Sequence, residues 1–112
     1  MESLRVQKIS RLIQKEMADI FQKSSTALYP GKMVTVTVVR VSSDLSGARV
    51  YLSVFPGAGS DEVLTVIKDH KGQIRNELGH RIKNQLRKIP DLSFFIDDSL
   101  DYIDNIDRLL KS

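Results

Sequence analysis

The stretch "MVTVTVVRVSSDLSGARVYLSVF", residues 33–55, contains two β-branched runs on either side of a short polar turn with Gly47. Apolar residues recur in both runs at a period of two, which is typical of strands that bury one face. The residues predicted to share the inner face are Val34, Val36, Val38, Ala48, Val50, Leu52 and Val54. The opposite face of the second run holds Arg49, Tyr51, Ser53 and Phe55. The stretch therefore predicts an antiparallel hairpin with one side in the core.

A helix is predicted on each side of the hairpin. Residues 4–22 carry an apolar stripe at helical spacing, formed by Val6, Ile9, Ile13, Met17, Ile20 and Phe21. Ser3 is the predicted cap of this helix, and the polar stretch "KSSTALYPGK", residues 23–32, is expected to end it. After the hairpin, Ser60 is the predicted cap of a second helix, whose first turn holds two acids where the helix dipole favours them.

The stretch "KDHKGQIRNELGHRIKNQLRKIP", residues 68–90, carries seven Lys and Arg against two acids, with Gly72 and Gly79 at interior positions. It is expected to be helical towards Lys88 and to stop before Pro90. Glycine inside a helix costs roughly 1 kcal/mol relative to alanine. The two glycines therefore need a structural or functional reason.

A single straight helix does not fit this basic stretch. At about 100° per residue, the aliphatic stripe drifts by about 120° between Ile74 and Leu86. Lys71 and Arg81 would then fall inside the stripe. The pattern favours a break near Gly72, and it leaves room for a second adjustment at the later glycine. Two helices that meet at a kink are the prediction.

A third strand and a last helix complete the predicted order. In "LSFFID", residues 92–97, one face holds Leu92, Phe94 and Ile96. A right-handed helical crossover should place this strand parallel to one strand of the hairpin. Residues 98–112, capped at Asp98 or Ser99, predict a helix with a stripe of Leu100, Ile103, Ile106 and Leu110. The prediction is one α+β domain over residues 1–112, with the order αββααβ plus a C-terminal helix and with helices on one face of a three-stranded sheet.

The composition, with 41% hydrophobic and 28% charged residues, is ordinary for a soluble globular protein. No apolar run approaches the roughly 20 residues that cross a bilayer, and the amino terminus lacks the apolar core of a signal peptide. We therefore expect a cytoplasmic protein with no membrane partner. The absence of Cys excludes disulfides, thiolate nucleophiles and Cys-ligated zinc.

The net charge of +3 is unevenly distributed along the chain. Residues 97–112 carry five Asp against two cations, a balance of −3, whereas residues 68–90 carry seven cations against two acids, a balance of +5. A basic body with an acidic tail indicates a polyanionic partner that is met by one face.

Several segments are similar to the ribosome-binding factor A family, in order and over nearly the whole chain. They are "RV" at 5–6, "QKEMADIF" at 14–21, "VTVTVVRVSSDLSGARVYLSV" at 34–54, "GQIRNELGHRI" at 72–82 and "LRKIPDLSFFIDDS" at 86–99. The resemblance implies a KH-like fold of the second topological type, in which a helix, a kink and a helix bearing Ala-x-Gly replace the usual Gly-x-x-Gly loop. The matching triplet here is His70, Lys71 and Gly72, with His70 in place of Ala. "LYPGK" at 28–32 also departs from the family's Asp-Pro-Arg, so no role of that Arg carries over.

The resemblance also implies a function. It predicts a ribosome biogenesis factor that binds the immature 30S subunit and its 16S rRNA, assists late maturation including rRNA end processing, and supports growth at low temperature. The implied partners are 16S rRNA, the free 30S subunit and other assembly factors such as an assembly GTPase. We expect a monomer that requires no cofactor.

Cations near the predicted kink are the candidate RNA contacts, because a KH-like helix pair and sheet present a groove that follows a phosphate backbone. The first group is Lys68, Lys71, Arg75, Lys83, Arg87 and Lys88, and a second line on the first helix is Arg5, Lys8 and Arg11. The competing interpretation is that these charges only solvate exposed faces. Phosphate contacts should dominate over base reading, so binding should weaken steeply with salt.

The aromatic residues are few, and most are explained as core. Phe94 alternates with aliphatic residues of its strand, so we expect it to be packed rather than to stack on a base. Tyr51 and Phe95 lie on the opposite faces of their strands, and their role is open at this point. An RNA-recognition module that displays aromatics on a sheet would differ from this pattern.

Two other functions are open. One is a protein-interaction module, in which the acidic tail and an apolar sheet edge recruit a partner and RNA binding is incidental. The other is a metal-dependent RNA-processing enzyme that uses the cluster of Asp97, Asp98, Asp101 and Asp104. The start of a helix explains these acids more simply, because carboxylates are favoured there.

Other chemical motifs are weak. His70 and His80 lie apart from any nucleophile motif, and Gly57 and Gly59 are too isolated for a nucleotide-binding loop. We therefore predict no enzyme, no catalytic residue and no metal site.

Overall fold

A computed structural model of the protein describes residues 4–97, apart from the side chains of residues 25–27. The predicted helix in residues 98–112 lies outside the described residues, as do its cap at Asp98 or Ser99 and the cap at Ser3. Most of the Asp cluster that begins at Asp97 is outside them too.

The described elements follow the predicted order αββααβ. They are α1 (Leu4–Leu28), β1 (Met33–Val41), β2 (Gly47–Phe55), α2 (Ser60–Asp69), α3 (Lys71–Ile82) and β3 (Asp91–Ile96). The three strands form one sheet in the order β1-β2-β3. β1 and β2 are antiparallel, and β3 runs parallel to β2. The predicted hairpin and the predicted parallel crossover are both confirmed.

A β-bulge in β1 changes which residues face the core. Val36 pairs with Leu52 but Val38 pairs with Tyr51, so Thr37 is the extra residue. One extra residue reverses the inward and outward alternation that follows it. Beyond the bulge the buried residues are Val39 and Val41, so the prediction that Val38 lies on the inner face is wrong. The shift turns Arg40 outward, opposite Arg49 of β2.

α1 is longer than predicted. Its stripe is buried as expected, from Val6 to Phe21. The polar stretch after residue 22 does not end the helix, which continues to Leu28. Ser24 donates a hydrogen bond from its hydroxyl to the Ile20 carbonyl at 2.9 Å, which keeps a polar residue compatible with the helix. The chain then turns at Gly31, whose φ of 80° is one that glycine adopts without strain.

The second helix begins at its predicted cap, one residue earlier than expected. Ser60 is its first helical residue, and the capping position is Gly59, with a φ of 80° and no side-chain hydrogen bond. The prediction of Ser60 as a capping hydroxyl is therefore wrong. Asp61 and Glu62 do occupy the first turn, as expected.

The break in the helical stretch lies at His70, which separates α2 from α3 with φ −101° and ψ 14°. It is therefore near Gly72, as predicted, although Gly72 itself is inside α3. No second break occurs at Gly79, which is also within α3. The helix ends at Ile82 and does not run towards Lys88 as predicted. In the turn that follows, the amides of Gln85 and Leu86 both donate to the Ile82 carbonyl.

The helices cover the inner face of the sheet. Both α2 and α3 bury their aliphatic residues there, and the ring of Phe21 in α1 meets that of Phe94 in β3 edge-on, with centroids 6.1 Å apart. Phe94 is a core residue, as expected. Among residues 4–97, no helix is both long and apolar enough to cross a membrane.

Candidate nucleic-acid interface

His70 occupies the kink and packs inward. Its Nδ1 lies 2.8 Å from the Val66 carbonyl in the last turn of α2. The side chain is half-buried and lines a cleft of about 270 Å³ together with Leu28 of α1 and Ile74 of α3. The larger residue that replaces the family's Ala therefore folds back against the helices and leaves the outer side of the kink open.

Lys71 and Arg75 both contact the start of β3. Lys71 Nζ lies 3.0 Å from Asp91 Oδ1, and its side chain is 39% exposed. Arg75 donates from Nη2 to the Ile89 carbonyl at 2.8 Å and from Nε to the Pro90 carbonyl at 3.3 Å. These two candidate RNA contacts thus also hold the chain that enters the third strand. Both side chains remain partly accessible to a partner.

The two glycines of α3 have different surroundings. A Cβ built on Gly79 would lie 3.3 Å from Cγ1 of Ile89, so this glycine allows the segment before β3 to pack closely on α3. A Cβ built on Gly72 would meet nothing within 4 Å. Packing therefore explains Gly79, whereas no contact within residues 4–97 requires a glycine at position 72.

Arg81 is a structural cation. Its Nη1 lies 2.6 Å from Asp19 and 3.3 Å from Glu16 of α1, and its Nε lies 3.2 Å from Glu77 of α3. The hydrogen bond to Asp19 is the main cause that raises the pKa of Arg81. The same hydrogen bond is the main cause that lowers the pKa of Asp19. Arg81 joins α1 to α3 and is not available to a polyanion.

The remaining candidate cations are exposed. Within residues 4–97, no ion-pair or hydrogen-bond partner engages the side chains of Lys68, Lys83, Arg87, Lys88, Arg5, Lys8 and Arg11. We call Lys68, Lys71, Gly72, Arg75, Lys83, Arg87 and Lys88 the kink surface. Unpaired cations of this kind can donate hydrogen bonds to phosphate oxygens without breaking an internal contact.

The structure does not bring the α1 cations to the kink. α3 runs antiparallel to α1, because His70 lies beside Leu28 whereas Arg81 contacts Glu16. With a rise of 1.5 Å per residue, Arg11 lies about 25 Å from Leu28 along the helix, and the two earlier cations lie farther away. Arg5, Lys8 and Arg11 therefore belong to the end of the molecule where α3 terminates.

The outer face of the sheet carries cations that were not among the predicted contacts. Arg40 and Arg49 are direct partners across the hairpin, and both are exposed. Tyr51 of β2 and Phe95 of β3 stack beside them, with centroids 5.4 Å apart and an interplanar angle of 28°. The alternation of β2 had already placed Arg49 and Tyr51 on the polar side. The bulge at Thr37 brings Arg40 to that side as well.

Asp97, the first member of the proposed metal cluster, is engaged with the sheet. Thr37 donates a hydrogen bond from Oγ1 to Asp97 Oδ2 at 2.6 Å, and the Asp97 amide donates to the Leu52 carbonyl at 2.7 Å. In the part of the chain that the structure describes, no group of three or more His, Asp or Glu residues is arranged to hold a metal ion.

Comparisons with known proteins agree with this architecture. The sequence model of the family named ribosome-binding factor A matches residues 5–110. Ribosome-binding factor A of Christiangramia forsetii is 46% identical over 111 residues, which cover 98% of this chain and 85% of that protein.

A solved structure and a fitted model of one relative give the same result for the fold. The crystal structure of ribosome-binding factor A from Thermus thermophilus superposes with a TM-score of 0.68 at 22% identity, covering 81% of this chain and 94% of that one. A homology model of the Thermus protein, fitted into a cryo-EM map of its 30S complex, gives a TM-score of 0.63 at 23% identity, covering 80% of this chain and 91% of that one. The fold of this chain is KH-like, as the helix–kink–helix arrangement indicates.

Proposed function

Because this chain belongs to the ribosome-binding factor A family, we propose that it is a ribosome assembly factor that binds the free 30S subunit through 16S rRNA. The relatives bear the name of a ribosome-binding protein, and one Thermus relative has been fitted into a map of a 30S complex. The single observation in this chain that carries the proposal is the kink surface, where exposed cations extend from a helix break with an open glycine along α3 and into the segment that follows it.

Phosphate contacts are the chemistry that this surface supports best. Lys68, Lys83 and Arg87 are exposed, and lysine and arginine are the residues that neutralise RNA phosphates. Gly72 adds space, because a residue without a side chain lets a phosphate or sugar approach the helix backbone closely. This accounts for a glycine that internal packing does not require.

The mechanism that we propose is binding without catalysis. The factor would hold or displace an RNA helix of the immature subunit and leave when the subunit is mature, with release aided by another assembly factor such as a GTPase. Help in maturing the rRNA ends and growth at low temperature would follow from this chaperoning. Neither a nucleotide nor a metal is needed for such a step, and Arg5, Lys8 and Arg11 would make a second contact with the same RNA.

A charge-reversal experiment tests the proposal. Lys83→Glu, Arg87→Glu and Lys88→Glu combined should reduce co-sedimentation with free 30S subunits and binding to 16S rRNA by at least about tenfold, since each lost phosphate contact lowers affinity at physiological salt. Lys23→Gln, at a lysine of α1 that is 70% exposed and lies about 18 Å along the helix from Arg11, is the control and should bind as the unaltered protein does. Unchanged binding of the triple variant would overturn the role of this surface.

A further inference from the structure

We propose that the outer face of the sheet is a second RNA-binding surface, which takes unpaired bases of single-stranded RNA on Tyr51 and Phe95 and the adjoining phosphates on Arg40 and Arg49. We define the outer face by these four residues with Ser93, which pairs with Arg49. The inference rests on the proposed function only in taking RNA as the partner. It concerns a different surface and a different form of RNA from the kink surface.

The aromatic pair forms a platform that the core does not need. Tyr51 and Phe95 are register partners on neighbouring parallel strands, and their rings stack with centroids 5.4 Å apart. Phe95 is 42% exposed, although the burial of a large apolar side chain would stabilise the fold. Successive bases stack on such exposed rings in proteins that bind single strands, because every base has a π-face. The pair is therefore suited to a base that has left its helix.

The arginine pair next to this platform lacks an internal partner. Arg40 and Arg49 face one another across the hairpin, and neither side chain has an ion pair or hydrogen bond within residues 4–97. Like charges directly opposite on one face destabilise a sheet. A phosphate group between the two guanidiniums would relieve this repulsion and satisfy their planar donors.

The spacing joins the two pairs into one site. Arg49 and Tyr51 are two residues apart on the same side of β2, which corresponds to about 7 Å. One nucleotide of an extended strand spans a comparable distance from its phosphate to its base. The arginines therefore lie where the phosphate next to a stacked base would be found.

A shallow depression extends from this site towards the kink surface. It has a volume of about 540 Å³, and its lining includes Arg40, Arg49, Ser93 and Asp91. Asp91 is the ion-pair partner of Lys71. A single strand that leaves an RNA helix bound at the kink surface can therefore pass the start of β3 and continue onto the outer face.

An apolar patch at the opposite end of the sheet is a weaker argument for a protein partner. Met33 and Phe55 are a cross-strand pair and are 61% and 69% exposed, so an apolar patch does exist there. The arginines, however, lie at the other end of the same strands, next to the aromatic pair. Charge and stacking together favour RNA as the occupant of the outer face.

The test uses the full chain and two RNA probes. One is a fluorescein-labelled oligouridine of about ten nucleotides, within the range of single-strand site sizes, and the other is an RNA hairpin with a fully paired stem. Phe95→Leu keeps the apolar volume but removes the ring. It should weaken oligouridine binding by about tenfold, because stacking contributes that order of affinity. Arg40→Gln with Arg49→Gln should weaken it similarly and make the slope of log Kd against log salt shallower by about 0.7 per lost phosphate contact.

The controls distinguish RNA binding by the outer face from RNA binding by the kink surface. Phe55→Leu, on the outer side of β2 but away from the arginines, should leave oligouridine binding unchanged. The triple charge reversal at the kink surface should weaken hairpin binding more than oligouridine binding. Thermal unfolding of each variant checks the fold, and the arginine variant decides the matter if Phe95→Leu unfolds.

Three results would overturn the outer face as an RNA site. The first is unchanged oligouridine binding in both variants. The second is equal loss for the hairpin and the oligouridine in all variants, which would assign both probes to one surface. The third is loss of 30S binding with unchanged oligouridine binding, which would assign the outer face to a protein of the subunit. Each of these leaves the kink surface to be judged by its own triple variant.

Discussion

Arg81 of α3 and Asp19 of α1 form the shortest ion pair between these two helices within residues 4–97, with 2.6 Å between Nη1 and Oδ2. The Arg81 side chain is 20% exposed, and it also contacts Glu16 and Glu77. A partly buried arginine shared by three carboxylates has a structural role, because its removal leaves those carboxylates facing one another. The cation two residues later, Lys83, is exposed and unpaired within the described residues.

We expect these two neighbouring cations to give opposite results. Arg81→Gln should lower the free energy of unfolding by about 1–2 kcal/mol, between the values typical of exposed and buried ion pairs. It should leave the affinity for 16S rRNA nearly unchanged. Lys83→Gln should leave stability within about 0.5 kcal/mol and weaken RNA binding. Chemical denaturation and RNA titrations at fixed salt measure both quantities, and a loss of affinity in folded Arg81→Gln equal to that in Lys83→Gln would contradict the distinction.

The two glycines of α3 give a second matched pair. Gly72→Ala should raise the free energy of unfolding by about 0.5–1 kcal/mol, because alanine loses less backbone entropy in a helix and its Cβ has open space. Gly79→Ala should be less stable than Gly72→Ala, because its Cβ would press on Ile89 at 3.3 Å. Thermal unfolding of the two variants side by side measures the difference.

The binding result at Gly72 is the more informative one. If the glycine serves close approach of RNA, Gly72→Ala should bind 16S rRNA more weakly although the protein is more stable. Gly79→Ala should keep its affinity, since Gly79 packs against Ile89. A Gly72→Ala variant with both higher stability and unchanged affinity would show that the glycine is not needed for binding.

Much of the fold could be predicted from the sequence because its signals are local. The period of two in β2 placed Ala48, Val50, Leu52 and Val54 inside, and the helical stripe of α1 was buried as expected. The drift of the aliphatic stripe predicted a break near Gly72, and the structure has it at His70. In each case the burial of one face decides the local conformation, so the spacing of the apolar residues predicts the strand or helix.

The errors arose where contacts distant in sequence decide the local structure. Leu86 continues the helical spacing, yet α3 ends at Ile82, and the chain beyond it returns to α3, where Arg75 donates hydrogen bonds to the carbonyls of Ile89 and Pro90. The ion pair of Arg81 with Asp19 joins residues 62 positions apart, so no local pattern marks Arg81 as structural. The candidate RNA contacts were predicted because they are lysines and arginines. Whether each one is free to bind RNA depends on ion-pair partners that are distant in sequence.

The bulge at Thr37 had a visible but ambiguous signal. Two successive valines, Val38 and Val39, interrupt the alternation of β1. They show that the register must change, but not which residue is the extra one. The outer-face arginine Arg40 was missed for this reason, since its direction depends on the bulge.

The hairpin turn predicts a pH effect. Asp44 accepts hydrogen bonds from the hydroxyls of Ser46 and Ser42, at 2.7 and 2.8 Å, and from the Ser46 amide at 3.1 Å. These bonds to the ionised form lower the pKa of Asp44 from 3.8 to about 2. The carboxylate therefore stabilises the turn above pH 3.8, and this contribution is lost as the pH falls towards about 2.

An NMR titration of the Asp44 carboxyl carbon measures this pKa directly. Asp44→Asn cannot ionise, so the difference in stability between it and the unaltered protein should shrink as the pH falls from 4 to 2. A midpoint near 3.8 would contradict the hydrogen-bonded turn.

The ion pair of Lys71 with Asp91 predicts a variant with increased affinity. Asp91 is 72% exposed and its pair with Lys71 spans 3.0 Å, so the pair contributes little to stability. Asp91→Asn should remove a negative charge beside the kink surface and free Lys71 for a phosphate. Stability should change by less than about 1 kcal/mol, and 16S rRNA should bind several-fold more tightly. The slope of log Kd against log salt should steepen by up to about 0.9, the value for one added phosphate contact on a duplex.

Lys71→Met combined with Asp91→Asn is the control, because it removes the same acid without the freed cation and should lose the steeper slope. A single variant whose slope matches that of this double variant would show that Lys71 does not reach the RNA.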